Sequence, residues 1–125
     1  FGVDPQVVQR AEDLAKLSGG KVEVSNDPSY ATDASVLDTD VWLSMGDSES
    51  ERSERIKALS PYAVTEELLA LAHKDAIFMH CLPAHRGEEV AASVIDGGRS
   101  VVWQQAFHRR TTIQALLYHL TRGDL

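Results

Sequence analysis

Ile77-Phe78-Met79-His80-Cys81-Leu82-Pro83 is the stretch that decides the fold, and Ala84-His85-Arg86-Gly87 follows it. Ile77, Phe78 and Met79 form an apolar run after charged Lys74-Asp75, as a strand buried in a parallel sheet does. Pro83 has no N–H with which to extend a ladder, so the strand is expected to stop near Leu82. Gly87-Glu88-Glu89 then reads as the opening of a helix, with acids in the first turn where the helix dipole favours them. Cys81, the one cysteine in 125 residues, is thereby placed at the carboxyl end of a strand. In open α/β sheets ligands bind at that edge.

Working upstream, Thr65 reads as the N-cap of a helix running to residue 72, and Ser60-Pro61-Tyr62 breaks the segment before it. Residues 49–59 are highly charged and read as a solvated helix laced with salt bridges. Residues 36–42 read as a strand whose far end is interrupted by polar Asp38-Thr39-Asp40, a pattern that suggests a site. Asn26-Asp27-Pro28 caps a brief helix to about residue 33, and residues 21–25 alternate like a short strand. Asp4-Pro5 starts a helix with Val7, Val8, Ala11, Leu14, Ala15 and Leu17 at helical spacing, closed by Gly19-Gly20. Downstream, a helix is expected over residues 88–95, a turn at Asp96-Gly97-Gly98 and a last strand over residues 100–103. Residues 106–120 then carry Ile113, Leu116, Leu117 and Leu120 on one helical face. Alternating helices and strands predict an α/β fold: an open parallel sheet with helices on both faces, Rossmann-like.

Bulk properties narrow the function classes. A chain of 125 residues, 43% hydrophobic and 25% charged, has the make-up of a single globular domain with a real core. A net charge of −7 argues against a nucleic-acid or anionic-membrane partner, though a small anionic substrate needs only a locally basic site. A lone cysteine rules out an internal disulfide and fits a reducing compartment, so the cytoplasm is expected. No apolar run approaches the roughly eighteen residues of a membrane span. The chain opens on Phe1-Gly2 in what reads as a loop, with no initiator methionine, and is expected to be part of a longer protein.

Cys81 admits three readings on chemistry alone: a structural thiol, a nucleophile activated by His80, and a polar ligand for substrate. Neighbours along a strand point to opposite faces, which weakens the second. Ser44-Met45-Gly46 reads either as a turn closed by glycine or as a binding loop, and Asp40 as a cap or a ligand. A zinc site from His80, Cys81, His85 and His73 fits no standard finger, ribbon or paired-histidine spacing.

His80-Cys81-Leu82-Pro83, with Ala84-His85-Arg86-Gly87-Glu88-Glu89-Val90 behind it, resembles the ornithine carbamoyltransferases in their second, ornithine-binding domain. Asp40 with Ser44-Met45-Gly46 resembles the same family's Asp-x-x-x-Ser-Met-Gly ornithine loop, and the likeness runs in register from about residue 5 to residue 117. The resemblance implies that residues 1–125 are most of that domain, an incomplete one, with the carbamoyl-phosphate domain and its Ser-x-Arg-Thr segment absent from this chain. It implies that Cys81 and Asp40 hold the side-chain amine of ornithine, and that Ser44 and Met45 hold its α-amino and α-carboxylate end. The Leu82 backbone carbonyl would face the carbamoyl group. Gln105-Ala106-Phe107-His108-Arg109 is similar to a family motif reading approximately Gln-Ala-Glu-Asn-Arg, so Arg109 would bind carbamoyl phosphate through its planar fork. Phe107 and His108 depart from that motif. The implied reaction carbamoylates ornithine to citrulline in the intact protein, with no metal or organic cofactor, in a homotrimer serving arginine biosynthesis. The fragment alone is expected to be inactive. Two alternatives stay open: a carbamoyltransferase acting on another amine, putrescine or an acylated ornithine, and a degenerate binding or regulatory subunit. Ser44-Met45-Gly46 favours free ornithine over the first; Phe107 and His108 motivate the second.

Overall fold

In the computed structural model, residues 2–43 and 48–123 are described. Helix α1 spans Pro5–Ser18. The Asp4 carboxylate accepts the Gln6 amide at its head, and Gly19 closes it at φ +75°, a left-handed value glycine reaches without a Cβ clash. A 3-10 turn over Pro28–Ala31 is capped by Asp27, as its sequence predicts. Strand β1, Val36–Thr39, leads toward helix α2, Glu49–Leu59. Helix α3, Glu66–Leu71, starts at Thr65, whose hydroxyl accepts the Leu68 amide. Strand β2, Ile77–His80, helix α4, Ala92–Ile95, and the long helix α5, Val102–Arg122, complete the order.

The sheet is parallel. Val36 pairs with Ile77, Leu37 with Phe78, Asp38 with Met79 and Thr39 with His80. On the other side of β2 a single parallel bridge joins Phe78 to Ser100, made by Phe78 N–H to the Arg99 carbonyl and Val101 N–H to the Phe78 carbonyl. Phe78 therefore lies at the centre of the sheet, fully buried. Around it pack Val64, Leu69, Val90, Val94, Ile95 and Val102, with Leu37, Leu68 and Leu82 partly buried against them. The α/β class with a small parallel sheet follows from these elements.

Four expectations need correcting. Residues 21–25 form no strand: their side chains alternate, but no neighbouring strand pairs with them among the described residues. Strand β1 ends at Thr39, before Asp40, Val41 and Trp42, because the chain leaves the ladder at the polar residues. No helix opens at Gly87. Gly87 takes φ +86° and donates to the Val90 carbonyl, closing a turn, and the Glu89 carbonyl is claimed by the Val64 amide, so helix α4 starts only at Ala92. The last strand is reduced to the bridge at Ser100. Val102 and Trp103, expected in that strand, already belong to α5, which begins four residues earlier than its apolar face suggested. No helix among the described residues is long and apolar enough to cross a membrane.

Candidate active site

Parallel register brings the first two candidate residues together. The last ladder pair is Thr39 with His80, so Asp40 and Cys81 come next on adjacent strands at the carboxyl edge. The Cys81 thiol donates to Asp40 Oδ1 at 3.0 Å, and the same oxygen accepts the Val41 amide at 2.7 Å. The thiol bond, then the amide bond, holds the Asp40 carboxyl below its usual range. Donation to the carboxylate, with some burial, pushes the Cys81 thiol up, so at neutral pH it is a protonated donor rather than a thiolate nucleophile. Both side chains are exposed to solvent at the edge of the sheet.

Arg109 arrives from the third turn of α5. Its Nη1 reaches the Cys81 carbonyl at 3.4 Å, and the side chain is otherwise exposed. Leu82 follows Cys81 at φ +57°, a left-handed conformation that costs a non-glycine residue roughly 1–2 kcal/mol, and the Leu82–Pro83 peptide bond is cis. Its side chain packs half-buried against the core, which helps to hold the turn. Ser44 and Met45 lie outside the described residues.

Cavities flank the Cys81–Asp40 pair on two sides. One of about 710 Å³ is lined by Met79, Cys81, Leu82, Gln104, Gln105, His108 and Arg109, residues from the end of β2 and the first turns of α5. A second, of about 390 Å³, is lined by Asp40, Val41, Leu43, Arg52, Leu82, Pro83 and His85. Cys81 opens on the first and Asp40 on the second. Leu82 lines both.

His80, the neighbour of Cys81 in sequence, faces the other way and is completely buried. Its backbone N–H donates to Gln105 Oε1 at 2.8 Å, in the place where a third strand would have continued the ladder had the chain not turned into α5. Its ring lies between the Leu82 amide, 2.8 Å from Nδ1, and Glu89 Oε1, 3.3 Å from Nε2. Glu89 is buried as completely as His80. Sequence reasoning passed over Glu89 and Gln105. An acid just after glycine reads as a helix's first turn, and nothing in spacing alone aims residue 105 at residue 80.

The four residues considered for zinc are dispersed. His80 is committed to Leu82 and Glu89, Cys81 to Asp40, and His73 Nδ1 accepts the Asp75 amide at 3.2 Å. His85, Glu88 and Glu89 do place donor atoms within 4.8 Å of one another, but Glu88 is ion-paired with Arg52 and Glu89 bonded to His80. Nearby, Arg86 grips Asp96 through two 2.8 Å bonds and ties the turn to the end of α4.

Known proteins resemble this chain in sequence and in fold. The aspartate/ornithine carbamoyltransferase family, through its Asp/Orn binding domain, matches residues 1–120. The chain is 51% identical over 118 residues to the ornithine carbamoyltransferase of Staphylothermus marinus, a match covering 94% of this chain and 37% of that protein. Its fold superposes on ornithine carbamoyltransferase from Pyrococcus furiosus with a TM-score of 0.86 at 47% identity, covering 94% of this chain and 37% of the other. On the anabolic ornithine carbamoyltransferase from Campylobacter jejuni the TM-score is 0.90 at 33% identity, over 98% of this chain and 41% of that one. The chain thus spans well under half the length of these relatives. With a match running along nearly its whole length, this chain belongs to the aspartate/ornithine carbamoyltransferase family.

Proposed function

We propose that the intact protein carrying this chain transfers a carbamoyl group from carbamoyl phosphate to the side-chain amine of L-ornithine, giving citrulline and phosphate. Residues 1–125 are, in this reading, most of the ornithine-binding domain, and the remainder of the carbamoyl-phosphate grip lies outside them. The observation that carries it is the 3.0 Å Cys81–Asp40 contact between two cavities at the carboxyl edge of the sheet.

An attacking amine must be neutral, with its lone pair aimed at the carbonyl carbon. Asp40, kept ionised by its two donors, accepts an amine hydrogen, and the Cys81 sulfur beside it takes a second position on the same nitrogen. The lone pair is then left to point toward the larger cavity. There, the carbamoyl phosphate dianion meets the Arg109 guanidinium and the amino end of α5, whose unpaired N–H groups favour an anion. The nitrogen forms its bond to the carbonyl carbon, and the tetrahedral intermediate breaks its C–O bond to phosphate. Phosphate leaves with the electron pair and is basic enough to take up the amine proton. Ser44 and Met45 hold the α-amino and α-carboxylate groups and thereby select free ornithine. The assembly is a homotrimer working in the cytoplasm, in arginine biosynthesis, with no resident cofactor.

The test is citrulline formation from ornithine and carbamoyl phosphate by the full-length protein. Turnover in wild type, with heavy loss in Asp40→Asn, is the expected result. A full-length wild-type protein that forms no citrulline overturns the assignment.

A further inference from the structure

The buried pair His80 and Glu89 has no part in the chemistry above, yet it holds both ends of the turn that bears it. The Leu82 N–H donates to His80 Nδ1 at 2.8 Å, so that ring nitrogen carries no proton, and the proton resides on Nε2, where it is donated to Glu89 Oε1 at 3.3 Å. Glu89 Oε1 also accepts the His85 amide at 2.5 Å. The backbone amides of residues 82 and 85 are thus hung on one imidazole–carboxylate unit that is wholly inside the protein. That unit is anchored in turn: the Val64 amide donates to the Glu89 carbonyl at 2.9 Å, and the His80 amide to Gln105 at 2.8 Å.

We propose that His80 is a positioning residue, which through the Leu82 amide sets the left-handed backbone at Leu82. It thereby aims the Leu82 and Cys81 carbonyls at the carbamoyl group and at Arg109, while Glu89 fixes its tautomer and grips the far end of the turn. The proposal rests on the carbamoyl-transfer reading of the site. Leucine does not choose φ +57° unaided, and among the described residues the ring nitrogen of His80 is the acceptor its amide finds. Arg109 reaches the carbonyl of Cys81, the residue just before, so a slack turn would loosen the phosphate grip as well. Two-sided use of the ring separates His80 from an ordinary core histidine: both nitrogens are engaged, one by the site and one by the interior.

Two replacements part the two roles, because an asparagine oxygen reproduces Nδ1 and a glutamine nitrogen reproduces Nε2. In the full-length protein, His80→Gln keeps the donor to Glu89 but loses the acceptor for Leu82. It should lower kcat about a hundred-fold, the scale of an ångström-sized misplacement, while KM for ornithine moves only a few-fold. His80→Asn keeps the acceptor and should retain most of kcat, although the loss of the donor to Glu89 lowers its melting temperature. A core role alone predicts the reverse order, and that order, or equal kcat losses tracking the folded fraction, overturns the proposal. Hydrogen exchange at the Leu82 amide reads the turn without turnover: it should quicken in His80→Gln and stay slow in His80→Asn. If wild type makes no citrulline, the carbamoyl-transfer reading falls by itself. The exchange order then decides on His80 separately, sustaining its hold on the turn if found and refuting it if absent.

Discussion

The segment from β2 through α4 and the two helices α1 and α5 are both rich in apolar side chains at regular spacing, yet they meet opposite fates. Phe78, Val90, Val94 and Ile95 are at most 3% exposed. Val7, Leu14 and Leu17 on α1, and Phe107, Ile113, Leu116, Leu117 and Leu120 on α5, are 45–86% exposed. Periodicity fixes which residues share a face; it does not supply the surface that covers the face. Around Phe78 the cover is local in space, with β1 on one side, the Ser100 bridge on the other, and α3 and α4 beneath. Along α1 no residue is buried at all, and on α5 only Val102 is.

The sharpest way to break this comparison sets one residue type against itself. Phe78→Ala empties a fully enclosed site and should cost about 3–5 kcal/mol, enough to unfold much of the chain. Phe107→Ala removes a ring that is 54% exposed, and should stay within about 0.5 kcal/mol. Urea denaturation followed by circular dichroism gives both numbers. Comparable losses would mean that α5 is packed in solution in a way the fold does not provide.

Next in size is an effect on function at the edge of the packed region. Arg109→Ala in the full-length protein should lower kcat for citrulline formation on the order of 10²–10³-fold, the usual cost of removing a charged donor aimed at developing charge. Arg109→Lys keeps the charge but loses the planar fork, so turnover should still fall about ten- to a hundred-fold. Arg110, its neighbour on α5, lies 5.1 Å over the Phe107 ring, and Arg110→Ala serves as the control that leaves activity intact. Full activity in Arg109→Ala would reduce Arg109 to a surface residue.

The exposed faces make a third test. Apolar stripes of this extent draw partners, so residues 1–125 on their own should associate as concentration rises. Leu116→Ser with Leu117→Ser should weaken that association while leaving the melting of the packed region nearly unchanged. Sedimentation velocity across a hundred-fold concentration range is the measurement, the range being wide enough to show a shift of about 2–3 kcal/mol. A monomer at every concentration would contradict the picture.

How much of this was legible in the sequence follows the same division. The caps at Asp4, Asp27 and Thr65 depend on neighbours in the chain and stand where the residues predict, and the two paired strands begin where expected, although β1 stops three residues short. That Asp40 and Cys81 share the carboxyl edge was legible because each stands at the end of an expected strand. Their direct contact was not, and it follows from the parallel register that sets them side by side just past the ladder. Residues 21–25 failed as a strand because a strand exists only with a partner, which alternation cannot supply. Val102 and Trp103 were misread because their β character was outweighed by early entry into α5, with Gln105 standing in for the missing ladder partner. Glu89 was hidden for a related reason. A carboxylate is read as solvated until the donors that hold it inside, the His80 ring and the His85 amide, are seen from other parts of the fold.

The smallest expected effect lies on the boundary between the packed segment and solvent, in the thiol itself. Cys81 is exposed, so access does not protect it; its proton does. The bond to Asp40 needs a protonated thiol and an ionised carboxylate. Its contribution to folding is therefore present between the lowered Asp40 range and the raised Cys81 range. It is lost as pH falls through the first, when the carboxylate protonates, and as pH rises through the second, when the thiolate forms. In that window the thiolate fraction is below that of a free cysteine, and alkylation by iodoacetamide at pH 8 should be slow. Asp40→Asn removes the negative charge and replaces a strong acceptor with a weak one. The thiol then relaxes toward its ordinary range, and alkylation should quicken several-fold, with the rate–pH profile displaced toward lower pH. Phe107→Ala, far out on the uncovered face, should leave that profile where it is. A Cys81 that reacts at the same rate in wild type and Asp40→Asn would show that the 3.0 Å contact does not persist in solution, and the pairing on which the proposed site rests would go with it.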